Sequence, residues 1–125
     1  MKGSNVLTTR RGQTFFQAGI RASMQMAGVS TADADAYVAA NGTLSGNMES
    51  NLRRIIQEKY VASYGVVLEP WTDFRRTGYP VLNPVANGVV SGIPRSLLLP
   101  QSEIDLNPNA PKQKASVLER IFWDK

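Results

Sequence analysis

Residues 69–84 read EPWTDFRRTGYPVLNP, and this stretch gathers Trp71, Phe74, Arg75, Arg76 and Tyr79. Exposed rings stack on sugar faces or on nucleobases, and guanidinium groups beside them grip anions. The same side chains also build scaffold. An indole more often fills core in a small helical domain, and the planar fork of arginine ties backbone carbonyls or carboxylates together. Trp123, near the end of the chain, raises the same question. Residue types alone leave three roles open: glycan or peptide binding, nucleic-acid binding, and scaffold.

The remaining chemistry-bearing residues are sparse. Asp33 and Asp35 lie two apart on a helix, point to different sides, and read as first-turn charges. Glu103 and Asp105 alternate within a segment that reads as extended, which would place both carboxylates on one face. A calcium ion there would want six or more oxygen ligands, and no others are assigned, so no metal is expected. Lys59 falls in the middle of an apolar helix face. Its stem packs there while the ammonium reaches water, or it meets a carboxylate from another segment as a buried charge, with Glu69, Asp73 and Asp124 as candidates. The chain has no histidine and no cysteine. That removes the commonest general base, the commonest metal ligand and every thiolate mechanism. No glycine loop has a P-loop or Rossmann pattern. The reading is a protein that is not an enzyme, with no catalytic residue and no cofactor.

These residues need elements to position them. Residues 1–12 are polar and read as a flexible lead-in. From Gln13 to Ala27 the helical stripe Phe15, Gly19, Ala22, Met26 is widened by Phe16 and Ile20, and Gly28 supplies the stop. Ser30 or Thr31 caps a second helix that ends at Asn41-Gly42. A third runs from about Met48 to Tyr64, with Met48, Leu52, Ile55, Ile56 and Ala62 on one face and Gly65 at its end. Pro70 suits the first turn of a fourth, short helix over PWTDFRRT, closed by Gly78 and Pro80. Beyond it, Pro84, Pro94, Pro100, Pro108 and Pro111 exclude helix across most of the tail. Asn87-Gly88 marks a tight turn, a possible hairpin. The expected fold is all-α: three to four helices, then a long irregular Pro/Gly-rich segment laid over them.

The totals agree with one domain of 125 residues and a modest core. The net charge is +4, from 14 basic and 10 acidic residues. The adjacent basic pairs Arg10-Arg11, Arg53-Arg54 and Arg75-Arg76 lie in three different segments, whereas a protein that tracks phosphates concentrates them on one face. No nucleic-acid partner is expected.

The succession QTFFQAGIRASMQMAGV, ADADAYVAANG, IIQEKYVASYG, EPWTDFRRTGYPVL, IPRSLLLPQSEIDLNPNAP and a terminal FWDK resembles the C-terminal part of the SusD/RagB group, the SusD-like lipoproteins of the Bacteroidetes outer membrane. The resemblance covers roughly Gln13 to Lys125, and EPWTDFRRTGYP and IPRSLLLPQSEIDLNPN are its most specific pieces. It implies a non-catalytic nutrient-capture protein, anchored at the cell surface by an N-terminal lipid. Such a protein binds oligosaccharide or peptide and caps a SusC-type TonB-dependent transporter. It also implies tetratricopeptide-like helix pairs with irregular segments packed across them. Family members are several-fold longer, so residues 13–125 read as a fragment, without signal peptide or lipidated cysteine of its own. No ligand residue carries over.

The resemblance assigns EPWTDFRRTGYP a structural role: Trp71 and Phe74 buried, and Arg75 or Arg76 tying the tail through backbone carbonyls or through Glu103 and Asp105. The first helix would lack its usual partner, leaving Phe15, Phe16 and Ile20 uncovered and prone to self-association. The alternative of another class is a stand-alone helical module that binds a protein partner through that stripe.

Overall fold

A computed structural model describes residues 3–66 and 68–124. Among these, the regular elements are all helices: α1 (Gly3–Met26), α2 (Thr31–Asn41), α3 (Met48–Ala62), α4 (Leu68–Thr77) and α5 (Gln101–Leu106). The all-α expectation holds. The chain divides into two compact units, Met1–Pro70 and Trp71–Lys125.

In the first unit, α1 lies against both α2 and α3. It begins at Gly3, well before the expected start at Gln13, so most of the expected lead-in is the first part of this helix. The physical reason is plain in the sequence. Residues 4–11 contain no proline or glycine, and extending an existing helix costs far less than nucleating one. At its other end, the Gly28 amide donates to the Gln25 carbonyl and the Val29 amide to that of Met24. With Gly28 at φ +79°, this is the glycine-terminated helix end that the sequence predicts.

The helix that follows is capped by Ser30, whose hydroxyl accepts from the Asp33 amide at 3.2 Å. Asn47 does the same for α3, accepting from Ser50 at 2.9 Å. The connector between α2 and α3 is held by one side chain of α1. Gln13 donates through Nε2 to the Gly42 carbonyl and accepts through Oε1 from the Leu44 amide at 2.7 Å. Gln17 adds a second donor to the same carbonyl at 3.1 Å. Gly42 is required there, since a Cβ would lie 2.6 Å from the Val38 carbonyl oxygen.

The core of this unit is small: Ile20 from α1, Ala34 and Val38 from α2, and Ile56 from α3. The stripe expected to be uncovered on α1 is therefore only partly so. Ile20 is 7% exposed and belongs to the core, whereas Phe15 stays 75% exposed. The apolar face of α3 is likewise narrower than its periodicity suggests. Ile56 is buried and Leu52 half-buried, while Met48, Ile55 and Ala62 face water.

A polar bridge joins α2 to α3. Tyr37 donates its hydroxyl to the Glu58 carboxylate at 3.1 Å, and Arg54 pairs with Glu58 at 3.2 Å and donates to the Asn41 carbonyl at 2.8 Å. Partial burial, and then the hydrogen bond to the Glu58 carboxylate, raise the pKa of Tyr37 above the usual tyrosine value. A proton held more tightly in the folded chain stabilises the fold fully below about pH 10. That contribution is lost as pH rises through the folded value. Tyr37→Phe is therefore expected to cost about 0.5–1 kcal/mol at pH 7. It should also flatten the fall in melting temperature above about pH 10. An unchanged alkaline slope in the variant would mean the bridge does not hold that proton.

In the second unit, Gly78 at φ +80° ends α4 and its amide donates to the Phe74 carbonyl at 2.8 Å. The Tyr79–Pro80 peptide bond that follows is cis. Asn87, at φ +59°, makes a turn closed by the bond from the Gly88 amide to the Val85 carbonyl at 3.1 Å. The turn is present without strands beside it. The tail is irregular, yet several of its backbone groups find partners. The amides of Arg95 and Ser96 both donate to the Val117 carbonyl, at 2.8 and 3.0 Å. Gln113 uses its side-chain amide like a strand neighbour, accepting from Leu99 N at 3.1 Å and donating to Leu99 O at 2.9 Å.

The short helix α5 corrects the extended reading of Glu103 and Asp105. Pro100 cannot continue a helix but can precede one, and the Glu103 and Ile104 amides donate back to its carbonyl. Helical spacing then turns the two carboxylates apart, so they do not share a face.

Candidate functional site

Two residues of EPWTDFRRTGYP, Trp71 and Arg75, meet at one guanidinium. Arg75 projects from α4 with its guanidinium carbon 3.6 Å from the centroid of the Trp71 ring, one helical turn earlier. The ring of Trp123 stands 4.6 Å from the same carbon. The cation thus contacts two indoles, each attracting it through the negative face of its ring. Arg75 Nη1 also donates to the Arg95 carbonyl at 3.2 Å. The Trp71 indole N–H donates to the Pro94 carbonyl at 2.6 Å.

A second cation completes the cluster. Arg95 stacks 4.2 Å from the ring of Phe74, the largest buried apolar side chain of this unit. Its Nη1 pairs with Asp124 Oδ1 at 2.5 Å. The pair is shielded, with side-chain exposures of 16% for Arg95 and 0% for Asp124. Two arginines, three aromatic rings and one carboxylate therefore fasten the segment around residues 94–96 and the last turn of the chain to α4.

Each predicted site residue can now be placed. Phe74 is buried, and Trp71 is half-buried rather than fully enclosed. Arg75 donates to the Arg95 carbonyl. Arg76 stays local, pairing with the buried Asp73 three residues back at 3.1 Å. Tyr79 is half-buried, and its amide donates to Thr77 Oγ1 at 3.1 Å. Glu103 and Asp105 take no part in the arginine contacts proposed for them. They accept from Asn107 Nδ2 and Gln101 Nε2 on their own short helix, because helix formation turned them toward local partners. Lys59 is not a buried charge. Its side chain is 42% exposed and its ammonium lies 2.7 Å from Glu69, one of the three carboxylates considered. A surface pair of this kind contributes little to stability.

The residue that sequence reasoning missed is Arg95, together with the role of Asp124. The signal was faint: one arginine in IPRS and one aspartate in FWDK, separated by 29 positions, with nothing local to join them.

The geometry decides what the aromatics here can do. Ring faces that stack on a guanidinium are not open to a sugar or a base, and an indole N–H already bonded to a carbonyl is not free to donate to a ligand. One face of each indole and the N–H of Trp71 are engaged within the protein, the arrangement of a clasp.

Residues 4–99 match the SusD-like family, described as starch-binding and associating with outer membrane. The chain belongs to the SusD-like family. The match takes in α1 to α4 and the Arg95 half of the clasp. The SusD-like family is one of binding proteins rather than catalysts. No curated protein and no solved structure matches the chain. Among the described residues, no helix of this SusD-like chain is long and apolar enough to cross a membrane.

Proposed function

We propose that this chain is the C-terminal part of a surface-exposed outer-membrane lipoprotein that captures glycan, or in some settings peptide, for a SusC-type TonB-dependent transporter. The observation that carries this reading is the family match over residues 4–99, described as starch-binding and outer-membrane-associated. The helices are the scaffold on which the capture surface and the transporter-facing surface are mounted. The clasp supports the same division of labour, since its indoles are committed to Arg75. Tetratricopeptide-like pairing of the helices belongs to this proposal.

The test is recovery of the transporter. The tagged chain, incubated with detergent-solubilised outer membranes of its own host, is expected to retain a TonB-dependent barrel of the SusC type, identified by mass spectrometry. Retention of soluble proteins without that barrel favours the stand-alone interaction module instead.

A further inference from the structure

The sequence holds two asparagine–glycine pairs, Asn41-Gly42 and Asn87-Gly88, each preceded by alanine, and the fold treats them differently. Asparagine is chemically labile. It is most so before glycine, where no side chain screens the backbone nitrogen of the next residue. That nitrogen and the asparagine Cγ close a five-membered ring. In a folded chain the rate depends on whether the local backbone is free to bring the two atoms together.

At the first pair it is not. Asn41 is the last residue of α2, and its Nδ2 donates to the Tyr37 carbonyl at 3.3 Å. Its Oδ1 accepts from Arg54 of α3 at 3.1 Å. The Gly42 amide donates to the Val38 carbonyl at 2.7 Å, and Gly42 itself is buried. Its carbonyl accepts from Gln13 and Gln17 of α1. Reaction there requires contacts to three helices to be released.

The second pair lies in the turn after Pro84. Residues 83–89 are all exposed, and among the described residues the Asn87 side chain makes no hydrogen bond. Asn87 holds φ +59°, the left-handed region that asparagine tolerates better than most residues. The bond that closes the turn, from the Gly88 amide to the Val85 carbonyl at 3.1 Å, has no strands beside it. An exposed backbone bond of this kind opens at little cost in free energy.

We propose that Asn87 is a site of spontaneous deamidation, whereas Asn41 is protected by the fold. With the turn open, hydroxide takes the proton of the Gly88 amide, and that nitrogen attacks Asn87 Cγ. The Cγ–Nδ2 bond breaks, ammonia leaves with a proton from water, and a succinimide remains. Water then opens either carbonyl of the ring, giving aspartate or isoaspartate. In balance, one water is consumed and one ammonia released. The new carboxylate lowers the net charge of +4 by one unit, and the isoaspartate form also lengthens the backbone within the turn. The second unit thereby carries a record of the age of the chain.

Incubation of the whole chain at mildly alkaline pH, then tryptic digestion and mass spectrometry, tests this. Asn87 falls in the peptide 77–95 and Asn41 in the peptide 22–53, so the two sites are read separately. The acid form is expected to build up at Asn87 at least about tenfold faster than at Asn41. In urea that unfolds the chain the two rates should converge, since both pairs follow alanine. Equal rates in the folded chain, or no conversion at Asn87, would overturn the proposal. A difference that persists in urea overturns it too, because the cause would then lie in sequence and not in the fold.

Discussion

Asp124→Ala, a change next to the last position of the chain, is expected to destabilise the second unit by about 3 kcal/mol. Removing Asp124 takes one charged partner from the shielded Arg95, and losses from breaking a buried ion pair run to about 3–5 kcal/mol. The lower end applies here for a reason visible at the site. Asp124 Oδ2 is buried without a hydrogen-bond partner among the described residues, so the substitution also removes an unsatisfied oxygen. Arg95 keeps its contact with the Phe74 ring, which offsets part of the loss further. Asp124→Asn should fall between the two, since it keeps the Oδ1 acceptor and the shape but loses the charge. Chemical denaturation checks the order: wild type most stable, then the asparagine variant, then the alanine variant. An alanine variant as stable as wild type would mean that Arg95 finds water instead of remaining buried.

Trp71→Ala is expected to cost about 3 kcal/mol. Three contributions are lost together: burial of half the indole, the bond to the Pro94 carbonyl, and one of the two rings on Arg75. A fully enclosed tryptophan would cost more, up to about 5 kcal/mol. Trp71→Phe separates the contributions. It keeps a ring over the guanidinium but has no N–H to donate, and should cost only about 1–2 kcal/mol. A Trp71→Ala protein that melts like wild type would undo the clasp.

The boundaries of the helices were legible because single residues encode them. Gly28, Ser30, Gly65 and Gly78 each act through their own backbone or their own hydroxyl, within a few residues of the feature they set. The start of α1 was not legible, because polar residues 4–11 favour neither helix nor coil by pattern. What decides is the helix already nucleated beyond them. The tail was half legible. Proline spacing excluded long helices, but α5 needs only six residues between Pro100 and Asn107 and slips between the breakers. The site divides in the same way. Trp71 and Arg75 are one helical turn apart, so their contact follows from spacing alone. Arg95 and Asp124 meet only through the fold of the tail, and no local periodicity relates two residues that far apart.

Both tryptophans of the chain, Trp71 and Trp123, lie against the same guanidinium. The emission of this protein is therefore a private optical reporter of the latch formed by α4 and the chain end. Excitation selective for indole follows the opening of that latch, and three of the four tyrosines, Tyr37, Tyr60 and Tyr64, lie on the other unit, with Tyr79 beside the tryptophans. Two probes in one unlabelled protein can time whether its halves melt together or in turn.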